Sequence, residues 1–590
     1  MKMSSSDLNR PTCKCEAKRC VLVVDDDPQT SQDHAQDLRD WGYEPVVAEG
    51  QGMKLLEDAR AKARRHRCRV AIVDMRLFDA DGDESGLALA GQLAPTVCVI
   101  VTAYGTIPAT NRSRRYDNIA SFFEKGDDPD ELIGEVHNAF EKFCPCSLEV
   151  VGQGYDELMR RTTVRDSSEA GPDEIRCALE CLYRGEDPKI RKLHLALPND
   201  AYRSQSTAAV SARSGVYLAE PIREDGRPSQ REVVKVAAKE KIKAEVMNYS
   251  KYVKNLLLTD RCARIEDRGH SVVLWNIGAI RYTNIARDDR RLFSAWYADK
   301  SSEDVKCALD DLFEQTLAPW YRETSPADSQ HIFDYYVGHM FSPEFATLIE
   351  EYPDQKDSFE VLLLPGKSFS LRNPVVWARK HRNQSSFRSR WQALTHGDLH
   401  SGNIFVDEHC KTYVLDYERS GPGYILRDFV ELEADIRLQL TPTRPEQLHV
   451  LYALDLALLA QRSGEDSPRA PRWNRISGVD AATRRNLQKT FDAIVTLRRL
   501  AHELTGELDR MDQYYWALLM EMLISVVRKY AHVQDQRAID AARYRALLSA
   551  ALIAERLAAW NSDWPPRGWP RPEDLPERSE PPTVVEPDEE

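Results

Sequence analysis

The chain predicts an α/β doubly wound domain followed by an α+β domain that becomes largely helical toward its C-terminal part. Three observations carry this. Short apolar runs alternate with amphipathic stretches from 20 to 143, the texture shifts near Pro188 to longer β-rich segments broken by turn residues, and long helical patterns dominate beyond Trp391. At 590 residues the chain is too long for one hydrophobic core, and the usual domain size of about 150 residues suggests roughly four units. Hydrophobic residues at 42% and charged residues at 29% exclude a wholly disordered, collagen-like or disulfide-stapled chain. The 80 Lys and Arg against 94 Asp and Glu give a net charge of -14, which disfavours a sequence-independent grip on nucleic acid and favours a small-molecule or protein partner.

Taken in order, residues 1–19 form an N-terminal extension, MKMSSSDLNRPTCKC and onward, without the apolar core of a signal peptide. Between 20 and 143, VLVV, EPVVA, RVAIVD, VCVIVTA and IASFF read as five strands separated by helices, which makes a parallel sheet. The polar stretch TTVRDSSEAGP marks 144–187 as a linker. From 188 to 560, REVVKVAAKE reads as a strand and KIKAEVMNYSKYVKNLL as a helix. The loop THGDLHSGN precedes the short strands IFVD and TYVLD, and DFVELEADIRLQL and QYYWALLMEMLISVVRKYA are helices. Residues 561–590 hold eight prolines, nine acidic and three basic residues, so a disordered, solvating tail is expected there. The apolar stretch from Tyr514 to Val527 is too short to span a bilayer and contains Glu521. With twelve dilute cysteines, a cytoplasmic protein with reduced thiols and no membrane contact is expected.

Carboxylates gather at the predicted strand ends. Asp25, Asp26 and Asp27 follow the first strand, Asp74 ends the third, Thr102 the fourth, and Lys125 follows the fifth. Doubly wound sheets place their sites at these carboxyl ends. Clustered carboxylates repel unless they share a hard cation such as Mg2+, and an Asp facing Mg2+, a hydroxyl and an ammonium has what a phosphoryl group needs.

The segments VVDDDP, VDMRL, VTAYG and FFEKGDDPDEL, in that order, resemble the receiver domain of bacterial response regulators, a flavodoxin-like fold. The resemblance implies that Asp74 accepts a phosphoryl group from a sensor histidine kinase and that Asp25 and Asp26 hold Mg2+. It also implies that Thr102 and Lys125 bind the phosphoryl group and that Phe122 is the aromatic switch residue. Gly126 stands where the family usually has proline, and the loop LFDADGDESG after Asp74 is long.

A second constellation lies in His396-Gly-Asp398-Leu-His400-Ser-Gly-Asn403, followed after 13 residues by Asp416 in YVLDYE. A hairpin of that length can bring Asn403 and Asp416 to one metal site while Asp398 faces an incoming hydroxyl, which is the logic of phosphoryl transfer. The loop looks like that of the protein-kinase-like fold, nearest the aminoglycoside and choline phosphotransferase branch. With VVKVAAKEKIKAEVMNYSKYV, RNPVVWARK and DYERSGPGYILRDFVELEAD, residues 188–560 resemble the kinase-like domain of bacterial ternary-complex systems. That resemblance implies ATP bound by Lys235 with its partner Glu245, Asp398 as catalytic base, His396 supporting the loop, and Asn403 and Asp416 as Mg2+ ligands. Asp428 is expected to brace the loop. The phosphate-loop position, LPNDAYRSQSTAAVSARSGVYLAE, lacks Gly-x-Gly, leaving Ser204, Ser206 and Thr207 to supply hydroxyls.

Other features carry less. Cys13, Cys15, Cys20, Cys144 and Cys146 fit no standard zinc spacing, Cys177 and Cys181 suit packing on a helix, and the basic run at 59–69 reads as a solvated face. The expected function is a phosphorelay response regulator whose receiver controls an ATP-dependent phosphotransferase with a protein or small-molecule acceptor. The alternative is a non-enzymatic adaptor, a receiver with a pseudokinase scaffold. A transcription factor is disfavoured because no DNA-reading element follows the receiver.

Overall fold

The computed structural model describes residues 19–78, 83–103, 116–143, 148–165, 172–184, 186, 188–197, 215–257, 260–265, 269–283, 290–322, 324–326, 331–339, 356–364, 367–384, 387, 391–441, 448–476, 479–506, 511–527 and 536–570. The chain divides into two compact units. The first is Met1–Leu197 with Ser214–Lys243 and Ile265–Thr283, and the second is Pro198–Arg213, Ala244–Arg264 and Asn284–Glu590.

The first unit opens with β1 (Cys20–Val24), α1 (Pro28–Asp40), β2 (Glu44–Val47), α2 (Met53–His66), β3 (Val70–Asp74), α3 (Ser85–Gln92), β4 (Val97–Thr102), β5 (Ile119–Glu124) and α4 (Pro129–Phe143). The five strands form a parallel sheet in the order β2-β1-β3-β4-β5. This is the flavodoxin-like strand order. Its central strands are apolar up to Asp74 and Thr102 at their carboxyl ends, because both faces are covered. Val21, Val23, Val70, Ile72, Val97, Val99 and Val101 join one core, and Leu22, Val24, Ala71, Val73, Cys98 and Ile100 join the other. The period of two in side-chain direction produces that division. Each such Val or Leu contributes about 1.5–3 kcal/mol by burial. Asp27 caps α1, accepting from the backbone N–H groups of Gln29 and Thr30, with Pro28 in the first turn.

The segment expected to be a linker is structured. It contains β6 (Glu149–Val151), α5 (Gln153–Arg165) and α6 (Pro172–Tyr183). Ile175, Cys177, Ala178, Leu179 and Leu182 line α6 and are buried in the same core as Val21 and Val99. The polar stretch behind the linker expectation is local, whereas α6 follows it with a full helical stripe. The unit is completed by β7 (Ile190–Ala196), β8 (Val216–Arg223), β9 (Glu232–Ala238), the start of α7 (Lys239–Asn248), β10 (Ser271–Val273) and β11 (Ile277–Tyr282). Their sheet runs β10-β11-β9-β8-β7-β6, antiparallel except for the β6 and β7 pair.

The second unit holds β12 (Arg290–Leu292), α8 (Phe293–Asp299), α9 (Ser302–Asp311), α10 (Ala318–Arg322), β13 (Ser325–Pro326), α11 (Ile332–His339), β14 (Ser358–Leu364), β15 (Lys367–Arg372) and α12 (Pro374–His381). After these come β16 (Trp391–Thr395), β17 (Ile404–Asp407), β18 (Thr412–Val414), β19 (Gly421–Tyr424), α13 (Arg427–Asp435), α14 (Leu448–Leu458), α15 (Ala481–Thr505), α16 (Asp512–Val527) and α17 (Gln536–Ala558). Among the described residues, no helix is long and apolar enough to cross a membrane.

A buried charge network ties these helices together. Glu433 on α13 accepts from Arg498 at 2.7 and 2.9 Å, from Arg437 at 2.9 Å and from Tyr514 at 2.8 Å. Arg437 also donates to Asp455 on α14 at 2.6 Å. Residues 561–570, at the start of the expected disordered tail, pack instead. The Trp564 indole donates to the Leu456 carbonyl at 3.1 Å, and Trp564 meets Trp569 edge-on. Aromatic side chains find partners here despite the proline-rich setting.

Burial alone would raise the Glu433 pKa, but Arg498 and Arg437 outweigh it and hold the carboxyl below its ordinary value of 4.5. A depressed folded pKa means that the stabilisation is present above the unfolded value and is lost as pH falls through the folded one. Glu433→Ala is therefore expected to cost about 3–5 kcal/mol near neutral pH, because it strips Arg498 of its buried carboxylate and leaves Arg437 with Asp455 alone. That deficit should shrink in acid, which denaturant unfolding at about pH 7 and about pH 3 would check.

Candidate functional site

The first site forms where β1, β3, β4 and β5 end. Asp25, Asp26 and Asp74 each offer a carboxylate oxygen within 4.8 Å of the others, with Asp25 and Asp74 buried and Asp26 exposed. Lys125 Nζ lies 2.8 Å from Asp74 and 3.2 Å from Asp25. Two like charges about 4 Å apart repel by about 4 kcal/mol at an effective dielectric constant near 20, and the Lys125 ammonium between Asp74 and Asp25 offsets that repulsion. Burial raises the pKa of Asp74 and Asp25 adds to the rise, while Lys125 opposes it. Burial acts to lower the Lys125 pKa, but the two carboxylates prevail and raise it.

Backbone geometry fixes these groups. The Lys125 N–H donates to the Thr102 carbonyl at 2.7 Å, which registers the end of β5 against β4. Gly126 follows with φ +112°, a conformation proline cannot adopt and which suits the glycine found there. Phe122 is half-buried on β5, opposite Ile100, and packs on the core below the pocket. After Asp74, the Asp83 carboxylate accepts from the N–H groups of Leu77, Phe78 and Ser85.

Two contributors carry no motif signal. A Cβ on Gly86 would lie 1.9 Å from the Asp74 carbonyl, so α3 begins in direct contact with the strand end. His34 on α1 sits within the electrostatic reach of Asp25 and Lys125. Burial lowers its pKa, Asp25 opposes that effect and Lys125 reinforces it.

The second constellation lies in the second unit, on the loop between β16 and β17. The Asn403 side chain donates to the Asp398 carbonyl at 2.8 Å. The β17 and β18 hairpin pairs Ile404 with Val414, and the Leu415 N–H donates to the Asn403 carbonyl at 3.1 Å, so Asn403 and Asp416 flank one hairpin base. His396 is fully buried and donates from Nε2 to the Leu415 carbonyl at 2.9 Å. Burial lowers its pKa, which keeps the ring neutral in this supporting position. Asp416 is buried at φ +70°, an uncommon backbone conformation for a non-glycine residue and one enriched at functional sites.

Helix α13 supplies the loop's hydrogen bonds. Asp428 accepts from the N–H groups of His396 at 2.7 Å and Gly397 at 2.9 Å, Glu431 from that of Leu399 at 3.1 Å, and Asp435 from that of Ser401 at 2.9 Å. Spacing of three and four places these carboxylates on one helix face. Gly397 has φ +76°, and a Cβ there would meet the Arg419 carbonyl at 2.4 Å. The bracing expected of Asp428 is thus seen. Glu431 and Asp435, whose spacing was readable within DFVELEAD, extend it.

Lys235 is buried on β9 in the first unit, pairing with Ile280 and Val216. Glu245 lies on α7 in the second unit, where its carboxylate accepts from the Tyr417 N–H at 3.0 Å, beside Asp416. Arg419, absent from the sequence expectations, brings its guanidinium within 3.9 Å of the Asp398 carboxylate. Ser204, Ser206 and Thr207, and Cys13, Cys15, Cys144 and Cys146, lie outside the described residues.

Residues 358–523 match the family described as Ternary complex associated domain 9. That segment contains His396, Asp398, Asn403, Asp416 and α13. Among solved structures, the chain is similar to a CheY-like response regulator receiver domain protein from Methanospirillum hungatei JF-1, at 22% identity over 21% of this chain and 95% of that chain, with a TM-score of 0.19. The signal receiver domain of a putative Luxo repressor protein from Vibrio parahaemolyticus is 24% identical over 21% of this chain and 95% of its own, with a TM-score of 0.18. The chemotaxis protein CheY4 of Vibrio cholerae is 21% identical over 21% of this chain and 99% of its own, also at 0.18. No curated protein matches.

Three carboxylates on adjoining loops form an all-oxygen donor set that suits a hard divalent cation. Mg2+ is expected to raise the thermal midpoint of the whole chain relative to EDTA, by about 2.7 kcal/mol of stabilisation at a hundredfold excess over Kd. Asp25→Asn should leave the midpoint the same in both. Since burial raises the Asp74 pKa, the Mg2+ effect should fade as pH falls.

Proposed function

We propose that the chain is a response regulator in which phosphorylation of Asp74 controls a kinase-like phosphotransferase. The observation that carries the reading is Lys125 bridging Asp74 and Asp25 with Asp26 alongside. In that arrangement an Asp74 oxygen attacks the phosphorus of a phosphohistidine on a sensor kinase, forming a P–O bond as the P–N bond breaks. The leaving imidazole takes a proton. Mg2+ held by Asp25 and Asp26 supplies charge neutralisation, and Lys125 shifts from pairing with carboxylates to holding the new phosphoryl oxygens. The Thr102 hydroxyl contacts the same group, and Phe122 repacks when Thr102 moves.

For the second activity, Asp398 orients the acceptor hydroxyl and takes its proton. Asn403 and Asp416 hold Mg2+, Lys235 and Glu245 serve ATP, and His396 fixes the loop. The loop's hydrogen bonds to α13 support this assignment, since four backbone bonds from the neighbours of Asp398 pre-organise the loop that carries it. Arg419 near Asp398 favours the second reading, a pseudokinase adaptor, because a guanidinium at that position neutralises the base.

The deciding experiment is Mg2+-dependent ATP consumption by the full chain, with and without beryllofluoride as a mimic of phosphorylated Asp74. Turnover that changes with beryllofluoride and vanishes in Asp398→Ala is the expected result. Turnover equal to that of Asp398→Ala in both states would favour the adaptor.

A further inference from the structure

The helix that leaves the acid pocket ends on the antiparallel sheet. Lys125 is followed at Pro129 by α4, whose 15 residues at about 1.5 Å each carry the chain about 22 Å from the carboxylates. One face of α4, formed by Leu132, Ile133, Val136, Ala139 and Phe143, is buried along its whole length, so the helix can shift as a rod more readily than it can bend. Its last residue, Phe143, stacks on Trp275 with ring centroids 5.5 Å apart and planes at 26°. Trp275 is buried in the turn between β10 and β11. The carbonyls at this helix end are also held, because Cys181 on α6 donates to Phe143 O at 3.2 Å and Arg184 donates to Phe143 O at 3.3 Å.

The same turn is clamped from α6. The buried carboxylate of Glu174 accepts from the N–H groups of Asn276 at 2.7 Å and Ile277 at 3.2 Å and from the Asn276 side chain at 3.1 Å. Arg67, at the end of α2, reaches it at 3.6 Å. The Asn276 carbonyl in turn accepts from the N–H of Lys239, the first residue of α7, at 2.9 Å. A continuous set of contacts therefore runs from the loop after Lys125, along α4, to the turn that fixes the start of α7. On the far side of that turn, β11 pairs with β9 at Ile280 and Lys235.

We infer that α4 is the output strut of the acid pocket and that the Phe143 and Trp275 stack, with the Glu174 clamp, passes its displacement to the β10 and β11 turn and the start of α7. The inference rests on the receiver reading proposed above and names how that receiver is regulated to act on the neighbouring sheet. Occupation of Asp74 draws Lys125 toward the new charge. The loop between Lys125 and Pro129 moves with it, and the packed rod delivers the shift at its far end, where an aromatic stack has discrete alternative packings.

Hydrogen–deuterium exchange on the full chain, in Mg2+ with and without beryllofluoride, tests this. In the wild type, peptides covering 120–128 and 272–279 should both change exchange rate, by about threefold, on adding beryllofluoride. In Trp275→Ala the response at 120–128 should persist while that at 272–279 disappears, and Trp275→Phe should restore it by restoring the stack. If Trp275→Ala does not fold, Trp275→Leu serves the same comparison, since it removes the aromatic stack while keeping an apolar side chain in the turn. A response at 272–279 that survives in these variants, or one absent from the wild type while 120–128 responds, overturns the strut. No response at 120–128 overturns the receiver reading itself, and the strut with it.

Discussion

A loop that must hold a carboxylate, an amide and a buried histidine together has no secondary structure to satisfy its own N–H groups, and in this chain α13 satisfies them. Asp428, Glu431 and Asp435 accept from four successive or near-successive backbone donors between His396 and Ser401. Every residue of α13 is buried, so its position is set by what grips its other face. That grip is Glu433, held by Arg437 and Arg498 with Tyr514 completing its coordination. The order of dependence runs from the ion network in the helical core, through α13, to the loop and its side chains. Burying so many charges is tolerable only because each has an opposite charge or a donor at hydrogen-bond distance.

The acid pocket solves a similar problem with fewer parts. Asp25 and Asp74 are two buried carboxylates side by side, and Lys125 places a cation between them from the next loop. A cation that is shared between two carboxylates is also one that can be redistributed when a third anion arrives. In the response-regulator reading proposed above, that property is what lets the pocket act as a switch. Coupling to the adjoining sheet then needs only a stiff element with one end near Lys125, and α4 is placed for it.

Much of this was legible in the sequence where the signal is local. The five strands announce themselves as apolar runs because both faces of their sheet are covered. The acids and Lys125 fall at strand ends, where turn geometry leaves them little freedom, and His396 to Asp416 spans one hairpin. What was not legible depends on distant partners. Glu174 falls in the stretch expected to be a linker, yet its carboxylate holds a turn 102 residues away. Glu433 and Arg498 are 65 residues apart, and no spacing rule connects them. Trp564 and Trp569, set among prolines, were expected in a free tail and instead pack against α14 and each other. Gly86 carries no motif, and its necessity follows only from how closely α3 approaches Asp74.

The claim that organises the account is that Asp74 accepts a phosphoryl group. Incubating the full chain with acetyl phosphate and Mg2+, trapping acyl phosphate with borohydride and mapping the modified residue by mass spectrometry tests it most directly. The account predicts one modified residue, Asp74, with modification abolished by EDTA and strongly reduced in Lys125→Met. Modification at another carboxylate, or none under conditions where a control receiver is labelled, would contradict it.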